Sequence, residues 1–180
     1  MKHYYHFTGD TLRDGRPIPP IGEWLEHEGP LVPCSAGLHA SEHPFNALSF
    51  APGNRLHLVE LGGKIIPHGD PVDKVVAQKR KIVKSIEAEK LLRDFARRVA
   101  LDVLPLCQDA PAIVKQYLET GDESIRDAAR AAAWDAARDA ARDAAWVAAW
   151  AAASAAAWAA ATTKYRGWFK EMVDAEFAKQ

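Results

Sequence analysis

The chain has 180 residues and a formal net charge of −1, enough for one ordinary domain or for a small domain with a helical extension. That balance excludes general nucleic-acid binding by phosphate neutralisation, which needs a basic surplus. Hydrophobic residues make up 48 % of the chain, but Ala inflates the figure and buries little area.

The first thirty residues read as short strands and turns. Tyr4 to Phe7 is a strand broken by Gly9-Asp10, Leu12 to Gly15 a turn, and Arg16-Pro17-Ile18-Pro19-Pro20 an extended connection fixed by proline. Trp24 and Leu25 anchor that loop to the core. Ser41-Glu42-His43-Pro44 predicts a helix start, with Ser41 as cap, Pro inside the first turn, and Phe45, Leu48 and Phe50 facing inward. Arg55 to Leu61 alternates as a strand, Gly62-Gly63 predicts a hairpin turn into Lys64-Ile65-Ile66, and Pro67 to Pro71 reads as loop. Lys74 to Ile86 closes the β region.

Beyond residue 86 strand signals vanish. Glu87 to Leu104 carries apolar residues at helical spacing, Pro105 and Pro111 bracket a loop, and Ala112 to Leu118 is a short helix. From Arg126 to Trp158 every fourth residue is Arg, Trp or Ser, and most of the rest is Ala. No Gly or Pro lies between Ser124 and Lys164, so residues 125–161 are helix, capped at Asp122 or Ser124. A four-residue step turns about 400°, so the marked stripe drifts roughly 40° per repeat. The tryptophans therefore face several directions on one long helix, or the segment divides into shorter helices packed together. Lys164 to Ala178 closes the chain with Trp168, Phe169, Met172 and Phe177. The predicted fold is α+β: a small mixed β-sheet module at 1–86, then an all-helical, Ala-rich half at 87–180.

Ala144 to Thr163 is uncharged and long enough to span a bilayer. Its apolar groups are Ala, Trp and one Val, however, and Trp prefers the interface, so a spanning helix is not expected. The N-terminus lacks the apolar core of a signal peptide, and Cys34 and Cys107 show no metal spacing. A reduced, cytoplasmic setting and no metal site are the expectation. Lys79-Arg80-Lys81 with Lys84 reads as a solvated strand face, and His57 has no spacing that suggests ligation.

Cys34, Gly37, His39, Ala40 and Ser41, followed by Val59-Glu60 and Asp73-Lys74-Val75-Val76-Ala77, resemble a domain of unknown function common in bacteriophage and prophage proteins. Its core is Cys-x-x-Gly-aromatic-His-Ala-Cys/Ser. The resemblance covers roughly residues 1–92, and Leu38 departs from the aromatic. It implies a phage-related origin in a host bacterial cell and supplies no activity. A second resemblance, to ADP-ribosyltransferase-like folds, rests on His6-Phe7-Thr8-Gly9, Gly37 to Ser41 and Ala47-Leu48-Ser49-Phe50. It implies NAD as cofactor, with His6 on the nicotinamide ribose and His39 and Phe50 as the aromatic clamp. Both tyrosines expected there are missing, and Glu60 is a poor substitute for the catalytic Glu.

The leading expectation is a phage- or prophage-derived protein that works by protein–protein binding, without a cofactor. A host-defence inhibitor such as an anti-CRISPR is one such role. The helical region is the contact surface, for a host protein or for self-association, with Trp146, Trp150 and Trp158 as anchors and Arg138 and Arg142 at the rim. The alternatives are an NAD-using enzyme acting through His6, His39 and Glu60, and a structural phage component that forms a high-order oligomer.

Overall fold

The structure is a computed structural model. It describes residues 2–107, 109–140 and 145–180, with side chains throughout except at 106, 135, 137–140 and 145–158. Its elements, in chain order, are strands β1 (Tyr4–Thr8), β2 (Trp24–Glu26) and β3 (Leu38–Ala40), then helix α1 (Pro44–Leu48). Strands β4 (Arg55–Gly69) and β5 (Val72–Glu87) follow, then helices α2 (Glu89–Val103), α3 (Ala112–Thr120), α4 (Arg126–Ala140) and α5 (Ala145–Ala178). The chain is thus α+β, with its strands first and its longer helices after them. It forms two compact units: Met1–Leu92 with Gly167–Gln180, and Arg93–Arg166.

Every described strand pair is antiparallel, so the expected mixed sheet is corrected. A parallel pair needs a crossover of a dozen or more residues, usually helical, and the dominant pair here, β4 with β5, is a direct hairpin. β4 also departs from expectation by running through Gly62-Gly63 without turning. The pairing shifts register between Gly62 and Ile65 instead, and the hairpin closes after Gly69. Gly63 takes φ 70°, and the Lys64 amide there donates to Gln78 Oε1 at 2.8 Å. A bulge bends the strand that carries it, and a second shift at Leu58/Val59 adds to the bend.

The bend curls the sheet. β1 pairs with β4, β4 with β5, and β5 with both β3 and β2. Tyr5 and Ser41 then exchange backbone hydrogen bonds of 2.8 and 2.9 Å, joining β1 to the end of β3 and closing a small ring. Inside it, Tyr4, Ala40, Val59, Val75 and Ile82 pack together, with Ile18 and Leu61 against them.

The opposite face carries Phe7, Leu56 and Ile86 in one cross-strand row, and Tyr5, Leu58 and Lys84 in the next. The last turns of α5 cover it. Phe169, Val173 and Phe177, four residues apart, are all buried. Tyr5 Oη donates to Asp174 at 3.2 Å, and Lys84 Nζ to the Phe177 carbonyl at 2.9 Å. The Phe45 ring on α1 meets Phe169 edge-on at 6.2 Å.

At α1 the cap is His43, whose Nδ1 accepts from the Phe45 amide at 3.1 Å, and not Ser41, whose backbone is taken by Tyr5. Pro44 and Ala47 are the buried residues of this helix. Phe50 is 49 % exposed, with Lys74 Nζ 4.1 Å above its ring. In the second unit Gly121 ends α3 in the left-handed conformation, and Asp122 caps the next turn by accepting from Ser124. Asp102 on α2 holds both Lys164 and Tyr165. Among the described residues no helix is long and apolar enough to cross a membrane.

Candidate functional site

The Cys-x-x-Gly-x-His segment is a tight turn locked by its own histidine. Cys34 adopts φ 66°, rare for a residue with a side chain. Its amide donates to His39 Nε2 at 3.0 Å. A nitrogen that accepts carries no proton, so the His39 ring is neutral, and it also bonds the Gly37 backbone. Burial, first, and then the charges of Arg80, Lys74 and Arg13 lower its pKa. Gly37 has φ 117°, and a Cβ there would lie 2.3 Å from Val76 Cγ2. His39 therefore positions a loop and has no free ring nitrogen for general-base work. Cys34 itself is exposed.

A second cluster lies on the inner face of the ring. His6 pairs directly with His57 across β1 and β4, and their rings stack with centroids 6.4 Å apart. His57 is wholly buried, its Nε2 2.9 Å from Thr8 Oγ1. The Thr8 hydroxyl also reaches the Gly9 carbonyl at 3.0 Å, and the other His57 ring nitrogen is Nδ1. That Nδ1 is buried and has no hydrogen-bond partner. Burial, then Arg80 and Arg55, push the His57 pKa down to about 4. Burial and Arg80 hold His6 well below its ordinary value too.

Arg80 completes the cluster. On β5 it alternates with Lys79 and Lys81, which point outward to Glu26 and Glu60, so Arg80 points in. It is 6 % exposed, and Nη1 donates to the His39 carbonyl at 2.7 Å. Burial alone lowers its pKa, to about 10; no carboxylate offsets it. Lone buried cations are costly and are normally paired.

Of the residues singled out from sequence, His6 and His39 both lie within reach of the Arg80 charge. Glu60 sits on the outer face of β4, 2.7 Å from Lys81 and 3.7 Å from His3, so the three do not converge. The side chains of Trp146, Trp150, Trp158 and Arg138 lie outside the described residues, as does Arg142 altogether. Whether 125–161 is one helix or several turns on residues 141–144, also outside them. Among the described residues no group of three or more His, Cys, Asp or Glu could hold a metal ion. From sequence, Thr8 is part of the His6-Phe7-Thr8-Gly9 motif without a role of its own, His57 has no ligating spacing, and Arg80 reads as part of a solvated strand face, which its burial corrects. Strand alternation through Lys79-Arg80-Lys81 is the signal that could have found Arg80, since two of the three must face opposite to the third.

No curated protein and no solved structure matches the chain. Residues 2–94 match the family described as Domain of unknown function (DUF7666). The match takes in all five strands, α1 and the start of α2; the chain belongs to this family.

Proposed function

We propose that this protein, of phage or prophage origin, acts by binding another protein through its Ala-rich helical region, with the family domain as a folded head. The observation that carries this reading is Trp134. It is 62 % exposed on α4, although a solvated helix gains nothing from an indole in water. Arg126 and Arg130, eight and four residues earlier, are exposed as well, and Ala129 is buried. An aromatic flanked by arginines is the composition that dominates interface energetics. Trp146, Trp150 and Trp158 continue the same four-residue beat in the sequence. The NAD reading is less well supported, because Glu60 and His6 lie on opposite faces of the sheet.

The test is co-purification of the tagged full chain from a bacterial host, together with its solution mass. A stoichiometric partner, foreign or a second copy, that is retained by wild type and lost from Trp134→Ala and Arg130→Ala supports the proposal. A monomer that retains nothing, or a partner retained equally by the variants, overturns it. A large, regular homo-oligomer would favour the structural-component alternative.

A further inference from the structure

We infer that the cleft between the outer sheet face and the last turn of α5 binds a small monocarboxylate, with its carboxylate on Lys84 and its hydrocarbon tail against Leu58, Phe177 and Ala178. The site belongs to the sheet and its α5 cover and is independent of the protein-binding reading, so either can fail without the other.

The cleft has a volume of about 260 Å³, just under the range for drug-sized ligands, about 300–1,000 Å³, so its ligand is small. Tyr5, Leu58 and Lys84, one cross-strand row, line it from the sheet, and Asp174, Phe177 and Ala178 line it from α5. One charge in this lining is left over. An ammonium has three N–H donors, and among the described residues Lys84 uses one, to the Phe177 carbonyl at 2.9 Å. No carboxylate among them pairs with it. Asp174 lines the same cleft, but Tyr5 Oη holds its Oδ1 and Lys170 Nζ its Oδ2. His3 also lines it and lies 3.7 Å from Glu60, which Lys81 holds. Lys84 is half-buried, where a charge without a counter-ion costs more than in open water.

The rest of the lining fixes what carries the counter-charge. One ammonium balances one negative charge. A dianion such as sulfate would leave a charge unmet between apolar walls and beside Asp174, whereas a carboxylate leaves none and accepts both free N–H groups of Lys84. A carboxylate alone, however, leaves the walls uncovered. Leu58, Phe177 and Ala178 offer it no side-chain donor and gain only from apolar atoms that displace water from them. The ligand therefore joins one carboxylate to a short hydrocarbon chain.

The experiment titrates the full chain, at constant ionic strength, with hexanoate, acetate, hexanol and sulfate. Calorimetry gives the affinities, and the methyl resonances of Leu58 and Ala178 with the ring resonances of Phe177 locate the site. Hexanoate should bind saturably and move these signals. Acetate lacks the tail and hexanol the charge, so each should bind at least roughly tenfold more weakly. Lys84→Met, which keeps the stem and loses the ammonium, should lose at least roughly tenfold in hexanoate affinity. No saturable hexanoate response at these residues, acetate, hexanol or sulfate bound as tightly, or undiminished binding in Lys84→Met overturns the proposal. Should Lys84→Met fail to fold, the wild-type contrast between hexanoate and hexanol decides alone.

Discussion

Arg80 and His39 are joined from the inside of the sheet, Nη1 to carbonyl, at 2.7 Å. The bond ties β5 to β3 at the end of the very turn that the His39 ring closes, so the buried cation and the Cys34–Gly37 loop are parts of one arrangement. His39 serves it twice. Its ring fixes the turn and its carbonyl takes the guanidinium.

The cost of that cation can be set against its bond. An arginine held at about 10 rather than 12.5 is disfavoured as a cation by about 3 kcal/mol. The hydrogen bond to His39 returns about 1 to 3 kcal/mol. Replacing Arg80 with Met keeps much of the volume, removes the buried charge and leaves one carbonyl unmet. Arg80→Met should therefore be as stable as wild type or more stable, by up to about 2 kcal/mol. Urea unfolding checks this, and a loss of more than about 1 kcal/mol would show that the cation has a partner the geometry does not supply.

The α+β order and the helical second half were legible because period-2 and period-3.6 patterns do not overlap in this chain. The curl of the sheet was not. Gly62-Gly63 reads as a hairpin turn from composition, and only pairing over the full lengths of β4 and β5 makes a bulge the better solution. Of the inner cluster, His6 was visible as part of a local motif, but His57 and Arg80 are forty-nine and more residues away from Thr8 and meet it only through register. Long-range pairing leaves no local trace in a single sequence. His39, a clamp residue only in the alternative NAD reading, makes two short-range bonds to its own loop.

Acid should unfold this protein earlier than its carboxylates require. His57 and His6 both have folded-state pKa values below the ordinary 6.5, with His57 at about 4. The unfolded chain thus binds more protons than the folded one below pH 6.5, so stability is full above that value and falls as the pH drops toward 4. His57 alone accounts for roughly 3 kcal/mol across that window. Unfolding free energies at pH 7, 6, 5 and 4.5 should decline steadily, and His57→Gln should flatten the slope. A flat wild-type profile from pH 6.5 to 4.5 would contradict a buried neutral His57.

Gly37 and Gly15 form a matched pair of tests. Both have positive φ, 117° and 83°. A Cβ at Gly15 meets nothing within 4 Å, whereas at Gly37 it falls 2.3 Å from Val76 Cγ2 and 2.9 Å from Leu31 Cδ2. Gly15→Ala then carries the backbone term alone, about 1 to 2 kcal/mol. Gly37→Ala adds overpacking against a central core residue, a further 1 to 3 kcal/mol. Thermal unfolding of the two variants should rank them in that order, and equal losses would mean that β3 can move away from β5.

The last turns of α5 are the cover of the family domain's outer sheet face, although they lie some seventy residues beyond the stretch that matches the family. Phe169 and Val173 have no exposed surface, and Phe177 very little. Without them Phe7, Leu56 and Ile86 would meet water across three adjacent strands. Phe169→Ala should cost about 3 to 5 kcal/mol, the range for a buried aromatic truncated to Ala, with the edge-on contact to Phe45 part of the loss. A chain ended at Arg166 should keep its strand sequences yet lose cooperative unfolding and bind a dye for exposed apolar surface. Circular dichroism and thermal unfolding of the two variants decide the point. A truncated chain that melts as sharply as wild type would mean that the curled sheet is closed by its inner core alone, with Tyr4, Val59 and Ile82 sufficient to hold it.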